Sequence, residues 1–279
     1  MISTLPQVSI ILPTKNRLPL LKRAIDSVFN QDYENIELII VDDGSSDGTK
    51  QYLEHLIENR DDVVIAFNKT SQGACVCRNK AIDAAHGMFI TCMDDDDYLK
   101  CNHISNLVSH WSEDYSCISA NMVRIVKGKE KAFAYFSGII DLDKHLFYNR
   151  VGNHILTLTN RIKAVGGFDE KFPAFQDYEC WTRILKKYGP AFRVPECTYI
   201  LDNQHDIERI SSSSSRKIDG LDMFLIKHRQ DIKLKHLKSL RLLRKRFLKE
   251  NVTPFDVITS IHINNVHFVL SSYLSQFYK

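Results

Sequence analysis

Four short apolar segments recur through the first hundred residues, and segments with helical spacing separate them. The apolar segments span residues 8–12, 36–41, 63–67 and 88–93. Short apolar runs that are closed by Pro, Gly or Asp are typical of buried strands. Strands that alternate with helices at this spacing predict an α/β fold with a mostly parallel sheet, which binds its ligands beyond the carboxyl ends of the strands.

Aspartates follow two of these predicted strands. Asp42 and Asp43 end the second strand, and the run Asp94 to Asp97 ends the fourth. Adjacent like charges are costly unless a cation neutralises them, and carboxylate oxygens suit Mg²⁺ or Mn²⁺. The run therefore predicts a metal site, with a solvated acidic turn as the alternative. Because both groups follow parallel strands, we expect them to converge on one cleft.

The turn after the second strand also resembles a calcium-binding loop. Asp43, Ser45, Asp47 and Gly48 have the loop spacing, and Glu54 stands at the twelfth position. Such a loop needs a preceding helix, whereas an apolar strand precedes it here. The sequence instead predicts a strand-end carboxylate that accepts hydrogen bonds from a nucleoside, or an aspartate that only begins a turn.

The second half of the chain has a looser pattern. Strand-like segments occur at 117–126 and 155–159, and an amphipathic helix is predicted at 177–188, with Trp181 in the core and Arg183 on the surface. The serine run 211–215 predicts a loop or linker. A chain of 279 residues therefore divides into an α/β domain at 1–210 and a helical C-terminal region at 211–279.

The C-terminal region is strongly basic. The chain has a formal net charge of +3, yet residues 216–250 hold twelve Lys or Arg against four Asp or Glu. Leucines at 234, 237, 240 and 243, with Phe247, have near-helical spacing among these basic residues. They predict a helix that either packs on the catalytic domain or contacts an anionic membrane surface. Nucleic-acid binding is not expected, since no recognised binding module accompanies the charge.

The cysteines and the apolar segments indicate the cellular compartment in which the protein is expected. Seven cysteines without a CxxC pair predict reduced core thiols of a cytoplasmic protein, and Cys75 and Cys77 are not expected to bind metal. Residues 1–7 lack the pattern of a signal peptide. Residues 257–277 are too polar to predict a transmembrane span.

Six motifs occur in a characteristic order. They are Pro13-Thr14-Lys15-Asn16-Arg17, Val41-Asp42-Asp43-Gly44-Ser45, Gly73 with Arg78-Asn79, Met93-Asp94-Asp95-Asp96-Asp97-Tyr98, Gly166-Gly167-Phe168-Asp169 and Gln176-Asp177. Over roughly residues 6 to 210, this series resembles the inverting nucleotide-sugar glycosyltransferases of family 2. The resemblance implies the GT-A fold and a role in bacterial polysaccharide or O-antigen synthesis.

The resemblance also implies roles for the matching residues. The implied nucleotide-binding residues are Pro13, Thr14, Asn16, Arg17, Asp43, Arg78, Asp94 and Asp95. The Asp94-x-Asp96 motif matches the metal-binding D-x-D motif, and His205 stands where family members often carry a histidine near the donor diphosphate. For His205, a solvated loop histidine is the alternative.

Asp177 matches the general base of the family, which is normally the second residue of a Glu-Asp pair. Here the pair is Gln176-Asp177, so any role of the missing glutamate in acceptor binding is in doubt. An aspartate just before a helical segment is also a good N-cap. The residue type alone leaves both roles open, and the resemblance favours the base.

The predicted function is a metal-dependent inverting transferase that moves a hexose from a UDP-sugar to a sugar hydroxyl, on a lipid carrier at the inner face of the cytoplasmic membrane. Mn²⁺ or Mg²⁺ would neutralise the leaving diphosphate, and a carboxylate would deprotonate the acceptor. The alternatives are a catalytically inactive nucleotide-sugar binding module and an aspartyl phosphatase. The phosphatase would carry its D-x-D motif after the first strand, where Pro13-Thr14 stands.

Overall fold

The computed structural model describes residues 5–126, 128–132, 136–202 and 213–277. In these residues, strands β1 to β10 span Val8–Thr14, Ile36–Asp42, Val63–Phe67, Phe89–Cys92, Tyr98–Leu99, Cys117–Val126, Lys129–Ala132, Gly138–Ile140, Leu156–Leu158 and Ala191–Leu201. Helices α1 to α11 span Leu18–Phe29, Thr49–Ile57, Ala74–Ala84, His103–Ser109, Leu142–His145, Thr159–Ala164, Gln176–Tyr188, Ser214–Lys227, Leu234–Phe247, Pro254–Ser260 and Val266–Leu274.

One sheet joins these strands, in the order β3-β2-β1-β4-β9-β6-β10-β5, with β7 paired to β6 and β8 paired to β10. The half formed by β3, β2, β1 and β4 is entirely parallel. Beyond it, β10 runs parallel to β6, whereas β9 and β5 are antiparallel to their neighbours. The predicted α/β fold and the parallel arrangement of the first four strands are confirmed.

Helices cover both faces of the parallel half, which explains its nearly continuous apolar strands. Ile10 and Leu12 of β1 belong to the apolar cluster that contains Leu21 and Ile25 of α1. Ile11, between them, points to the opposite face and joins a second cluster with residues of α3 and α7. Alternate side chains of one strand therefore hold helices on both sides of the sheet, and the strand ends are left to form the site.

Two predicted elements differ in the structure, and one strand was not predicted. The segment predicted as a strand at 155–159 is shared between β9 and the start of α6. Strand β10 was not predicted, and Pro195 interrupts its pattern where the register with β6 shifts. Within the predicted serine linker, Ser213 caps α8 by accepting a hydrogen bond from the Arg216 amide, and Ser214 and Ser215 are helical. Residues 211 and 212 lie outside the described part.

Most of the cysteine side chains are buried. All seven are free thiols, and five of them are buried. Burial raises the pKa of Cys75 to about 11 and that of Cys77 to about 12. Thiols that stay protonated at neutral pH are poor nucleophiles and poor metal ligands.

Helix α8 packs against the outer face of α7. The Tyr178 ring stacks on Phe224, with ring centroids 4.1 Å apart. Beside it, the fully buried Glu179 carboxylate lies 2.7 Å from Arg183 Nη2, 2.8 Å from Lys227 Nζ and 3.4 Å from His228 Nε2. Burial alone would raise the pKa of Glu179, but these basic neighbours outweigh it and lower that pKa to about 2. A charged cluster therefore joins α7 to the C-terminal helices.

The predictions for two residues of α7 had different outcomes. Trp181 lies in the core as predicted, and its Nε1 donates to the Gly152 carbonyl at 2.9 Å. The prediction that Arg183 lies on the surface was wrong. Its guanidinium donates to Glu179 and to the carbonyls of Val165 and Gly167, so it fixes the glycine turn before α7.

Helix α9 occurs where the leucine spacing predicted it, but its leucines do not form one outward stripe. Leu240 is buried, whereas Leu234 and Leu237 are exposed. The next leucine, Leu242, packs with Phe268 of α11. No helix among the described residues combines the length and the apolar character that crossing a bilayer requires.

The Glu179 cluster predicts a pH-dependent contribution to stability. We expect Glu179→Gln to lower the free energy of unfolding at pH 7 by about 2–3 kcal/mol, somewhat less than for a fully buried pair because Arg183 and Lys227 are partly exposed. The folded-state pKa is lowered, so the contribution is complete above the unfolded pKa of 4.5 and is lost as the pH falls toward 2. Urea unfolding should therefore show the wild type and the variant converging as the pH falls from about 4.5 toward 2.

Glu54→Gln is the matched control, because Glu54 forms an exposed ion pair with Lys50. It should change the free energy of unfolding by less than about 0.5 kcal/mol. Equal effects of the two substitutions would contradict the role of the buried cluster.

Candidate active site

The carboxyl ends of β1, β2 and β4 meet around Thr14. The Thr14 carbonyl accepts a hydrogen bond from the Asp43 amide at 2.8 Å, and its hydroxyl donates to Asp95 Oδ2 at 2.8 Å. The aspartates after the second and fourth strands therefore converge on one edge of the sheet, as predicted.

Each aspartate of the run 94–97 contacts a cationic or hydrogen-bonding partner, and two of them share one arginine. Asp94 pairs with Arg78 at 2.6 Å, and Asp95 pairs with Arg17 at 2.9 Å. Asp96 lies 3.3 Å from the same Arg17 guanidinium. Asp97 accepts hydrogen bonds from the Tyr199 hydroxyl and the Asp202 amide. Two arginines thus compensate part of the negative charge that the sequence assigned entirely to a metal ion.

Arg78 links the aspartate run to helix α3. Burial disfavours its charged form, but Asp94 outweighs this effect and raises the pKa of Arg78. The guanidinium also lies over the Phe168 ring, 5.4 Å from its centroid. A cation held in this way suits the predicted role beside a diphosphate, and that role stays a prediction.

Three side chains at this edge are close enough to share a metal ion. The ligand atoms of Asp94, Asp97 and His154 all lie within 4.8 Å of one another. His154 was not predicted; its ring stacks on Tyr199 with centroids 4.1 Å apart, and its side chain is 7% exposed. Neither ring nitrogen makes a well-formed hydrogen bond within the described residues. A buried imidazole without such a partner, beside two carboxylates, fits a divalent cation.

The protonation state of His154 agrees with this. Burial lowers the pKa of His154 to about 4, although Asp94 acts in the opposite direction. The imidazole is therefore neutral at pH 7, which is the form that binds metal. The predicted metal set shares only Asp94 with this group. Asp96 lies beside Arg17, and His205 falls outside the described residues.

The predicted nucleotide-binding loops are tied to each other. Asn16, which follows β1 with a positive φ of 52°, accepts a hydrogen bond from the Ser46 amide at 2.7 Å. Its own amide donates to Ser45 Oγ at 2.8 Å. Pro13 is the penultimate residue of β1. The loops after β1 and β2 therefore form one rigid wall of the cleft.

The Asp43 carboxylate is directed into the protein. It accepts four hydrogen bonds, from Asn68 Nδ2, Ser71 Oγ and the amides of Gln72 and Gly73, at 2.6–2.9 Å. Burial would raise its pKa, but these donors outweigh it and lower the pKa of Asp43. Since a carboxylate has about four acceptor positions, Asp43 already uses them to fix the loop before α3. Its predicted contact with the nucleoside remains untested.

Asp177 lies in the first turn of α7 and is not its N-cap. The cap position is Phe175, which has a positive φ of 66° and no capping side chain. The capping interpretation of Asp177 was therefore wrong. The Gln176 side chain turns away to donate to the Phe172 carbonyl. Burial raises the pKa of Asp177 to about 6, although a backbone hydrogen bond and Arg78 act to lower it.

Asn149 holds the Asp177 carboxylate in place and was not predicted. Its Nδ2 donates to Asp177 Oδ2 at 2.8 Å and to the Gly152 carbonyl at 3.1 Å. Its Oδ1 accepts from the Gly152 amide at 3.1 Å. The only sequence signal is an Asn three residues before a Gly, which is typical of many turns. The contact with Asp177 spans 28 residues and has no local pattern.

Comparison with known proteins identifies the family. The sequence model for Glycosyl transferase family 2 matches residues 9–166, more than half of the chain. This chain belongs to glycosyltransferase family 2. The matched region contains the aspartate run, Arg78 and Asn149, whereas Asp177 lies just beyond it.

Two bacterial relatives illustrate the family. WcaA of Escherichia coli K12, named for colanic acid biosynthesis, is 35% identical over 238 residues, which cover 80% of this chain and 82% of WcaA. WfaP of Escherichia coli, named as a UDP-Glc:α-D-GlcNAc-diphosphoundecaprenol β-1,3-glucosyltransferase, is 29% identical over 184 residues, covering 64% of this chain and 70% of WfaP.

Solved structures share the fold. Staphylococcus aureus TarS 1–349, in complex with UDP-GlcNAc, aligns with a TM-score of 0.64 and 17% identity over 97% of this chain and 89% of that chain. The mannosyltransferase PcManGT of Pyrobaculum calidifontis, with GDP-Man and Mn²⁺, aligns with a TM-score of 0.60 and 17% identity over 98% and 74% of the two chains. At these identities the likeness establishes the GT-A fold, as predicted.

The geometry predicts which aspartates affect metal binding. Asp94 belongs to both candidate metal sets, so Asp94→Asn should weaken Mn²⁺ binding at least tenfold, roughly the effect of losing one ligand. Asp95→Asn should leave Mn²⁺ affinity within about twofold, because both Asp95 oxygens accept hydrogen bonds from the protein. Calorimetric Mn²⁺ titration in the presence of UDP measures both.

Two further variants distinguish the two candidate sets of metal ligands, which are Asp94 with Asp97 and His154, and Asp94 with Asp96. Loss of Mn²⁺ binding in His154→Gln supports the group seen in the structure, whereas loss in Asp96→Asn alone supports the predicted D-x-D set. Unchanged Mn²⁺ affinity in Asp94→Asn would contradict both.

Proposed function

We propose that this family 2 glycosyltransferase moves a hexose from a UDP-sugar to an acceptor hydroxyl, with inversion at the anomeric carbon and with the help of a divalent cation. The observation that carries the proposal is the Asp177 carboxylate. Asn149 holds it at 2.8 Å, burial raises its pKa to about 6, and the Arg78–Asp94 ion pair lies close enough to influence that pKa.

Asp177 has the properties of a general base. At pH 7 it is mostly ionised, yet its pKa is close enough to neutrality for efficient proton transfer. In the proposed step the acceptor hydroxyl loses its proton to Asp177 as its oxygen bonds to the anomeric carbon. The bond from that carbon to the diphosphate oxygen breaks with its electron pair. A single displacement inverts the anomeric centre and needs no enzyme nucleophile.

The opposite side of the cleft suits the leaving diphosphate. Arg17 and Arg78 supply positive charge near the strand ends. A divalent cation, when bound, would neutralise the charge that develops on the diphosphate. Asp94 would hold it, either with Asp96 or with Asp97 and His154. The nucleoside would lie along the wall that Thr14, Asn16 and Asp43 form.

The names of similar proteins support the choice of substrates. WfaP is named for a UDP-Glc donor and a diphosphoundecaprenol-linked acceptor, and the TarS complex holds UDP-GlcNAc. We therefore propose a lipid-diphosphate-linked saccharide acceptor in bacterial surface polysaccharide synthesis, used at the cytoplasmic face of the membrane. A guanosine donor is the competing outcome, because the PcManGT complex holds GDP-Man.

A donor screen with and without saccharide-diphosphate-lipid acceptors tests this function. Acceptor-dependent release of UDP is expected for the wild type, whereas release of GDP alone would contradict the proposed donor.

Asp177→Asn should lower turnover at least about a hundredfold, because it removes the base. UDP affinity should barely change, since Asp177 is assigned to the acceptor.

The pH dependence of the wild type should follow Asp177. Only its ionised form accepts a proton, so kcat/KM should rise with pH and level off above about 6. Since the raised pKa disfavours the folded state at higher pH, Asp177→Asn should not lower the unfolding midpoint at pH 8. An unfolded variant, or unchanged turnover per folded molecule, would contradict the assignment.

Binding of UDP without turnover of any donor would favour the inactive binding module.

Asn149 predicts a second change in the pH profile. Asn149→Ala removes a donor that stabilises the ionised carboxylate, so the pKa of Asp177 should rise. The acidic limb of kcat/KM should therefore move to higher pH, and activity at pH 8.5 should recover much of the loss seen at pH 6. A uniform loss at every pH would contradict this positioning role.

A further inference from the structure

The most exposed large apolar side chains of the described residues lie near the C-terminus. Ile263 is 87% exposed, and Phe255 and Ile258 are each 73% exposed. Together with the 44% exposed Ile261, they occupy α10 and the turn that leads into α11. We call these four residues the apolar tip. Four large apolar side chains exposed within nine residues of the chain indicate a site of interaction.

The outward face of α11 extends the apolar tip. Val266, Leu270 and Leu274 follow one another at intervals of four residues and are all exposed. Phe268 and Val269 point the other way and pack into a small core with α9. The helix therefore has apolar residues on two faces, one packed in this core and one exposed to solvent.

Basic residues border the apolar tip, and acidic ones are nearly absent. Residues 251–277 contain one acidic side chain, Asp256, which pairs with Lys245 at 2.7 Å. On α9, the exposed Lys238 and Arg241 share a face with Leu234 and form no ion pair within the described residues. The Lys238 carbonyl accepts a hydrogen bond from Ser260, which brings this basic face to the end of α10.

The apolar tip adjoins the segment that holds the proposed base. In the turn before α11, His262 stacks on Phe147 with centroids 4.8 Å apart, and the Asn264 carbonyl accepts from Arg150. Phe268 stacks on Tyr148, also at 4.8 Å. Asn149, within this same segment, bonds to Asp177. Residues 147–150 therefore connect the apolar tip directly to the acceptor side of the cleft.

We propose that the apolar tip inserts into the interfacial region of an anionic bilayer, with Lys238 and Arg241 at the lipid headgroups. Two interactions hold a protein on such a surface: insertion of apolar side chains, and contacts between basic side chains and anionic headgroups. This rests on the proposed function, because it places the cleft where a lipid-linked acceptor presents its sugar. A second copy of the chain would cover the apolar residues but would leave the basic border unused.

The proposed membrane contact lies beside the helix on which the sequence predicted it. The leucine spacing pointed to α9, yet Leu240 and Leu242 of that helix are buried. In the structure α9 contributes mainly its basic face, and α10 with the following turn contributes the apolar contact.

Co-sedimentation of the full chain with lipid vesicles tests the proposal. The wild type should bind phosphatidylglycerol vesicles at low salt, release at high salt and ignore phosphatidylcholine vesicles. The double variant Ile258→Ser and Ile263→Ser should lose roughly tenfold or more in partitioning, since two inserted side chains are removed. Lys238→Gln with Arg241→Gln should weaken binding and reduce its salt dependence.

The matched control removes two exposed apolar side chains elsewhere. Met88 lies just before β4 and Ile139 lies in β8, and both side chains are about half exposed. Met88→Ser with Ile139→Ser should leave vesicle binding unchanged. All the substituted residues are at the surface, so unfolding midpoints should match the wild type. Unchanged binding of the Ile258/Ile263 variant, or a wild type that ignores anionic vesicles, would overturn the proposal.

Two measurements separate this inference from the proposed function and from dimerisation. Turnover of a short-chain, water-soluble acceptor tests catalysis alone. If that turnover persists without vesicle binding, only the membrane inference fails; if vesicles bind but no donor is used, the proposed function fails. A dimer in sedimentation velocity that the Ile258/Ile263 variant dissociates, without vesicle binding, would assign the apolar tip to a second copy.

Discussion

The arrangement of the site depends on how four adjacent carboxylates are accommodated at the end of one strand. Charge repulsion would displace them unless partners of opposite charge or hydrogen-bond donors compensated it. Arg17, before α1, and Arg78, in α3, supply the positive charge, and Tyr199 of β10 supplies a hydroxyl. Each partner comes from a different element, so the aspartate run draws α1, α3 and β10 to the same edge of the sheet.

Helix α7 connects this edge to the rest of the molecule. Its first turn places Asp177 in the cleft, and the next two residues, Tyr178 and Glu179, pack against α8. The segment 147–150 runs beside it and contacts both Asp177 and the turn before α11. Asp177 and the apolar tip are therefore held by the same packed elements, whereas Thr14 and Asp43 are held at the strand ends of the sheet.

Local patterns in the sequence were sufficient to predict the first half of the fold. The strands β1 to β4 carry continuous apolar runs because both faces of the sheet are covered, and the carboxylates follow the strands directly in the chain. The motif order then predicted the family, which the sequence comparison confirmed. Strand β10 was missed because Pro195 interrupts its pattern, and its irregular register with β6 is set by a distant strand.

The site residues that were missed depend on contacts between distant parts of the chain. Nothing in the sequence around His154 or Asn149 indicates that they lie beside Asp94 and Asp177. Contacts between distant residues also explain why the prediction for Arg183 was wrong. Its partners Val165 and Gly167 belong to a turn earlier in the chain, so the sequence around Arg183 indicated a surface position. The arginines that compensate the aspartate run are also distant from it in the sequence. The sequence alone therefore assigned the charge of the run to a metal ion.

The C-terminal helices show why amphipathic spacing alone does not identify an interaction surface. A helix with leucines at helical spacing has to bury them somewhere, and on α9 the neighbouring α8 and α11 cover Leu240 and Leu242. Residues 251–277 have a less regular pattern, yet the tertiary packing turns Phe255, Ile258 and Ile263 outward. Which apolar side chains remain exposed is decided by the number of neighbours that pack on each helix. Helix α11 packs on α9 through Phe268 and Val269, and its other apolar face is exposed among the described residues.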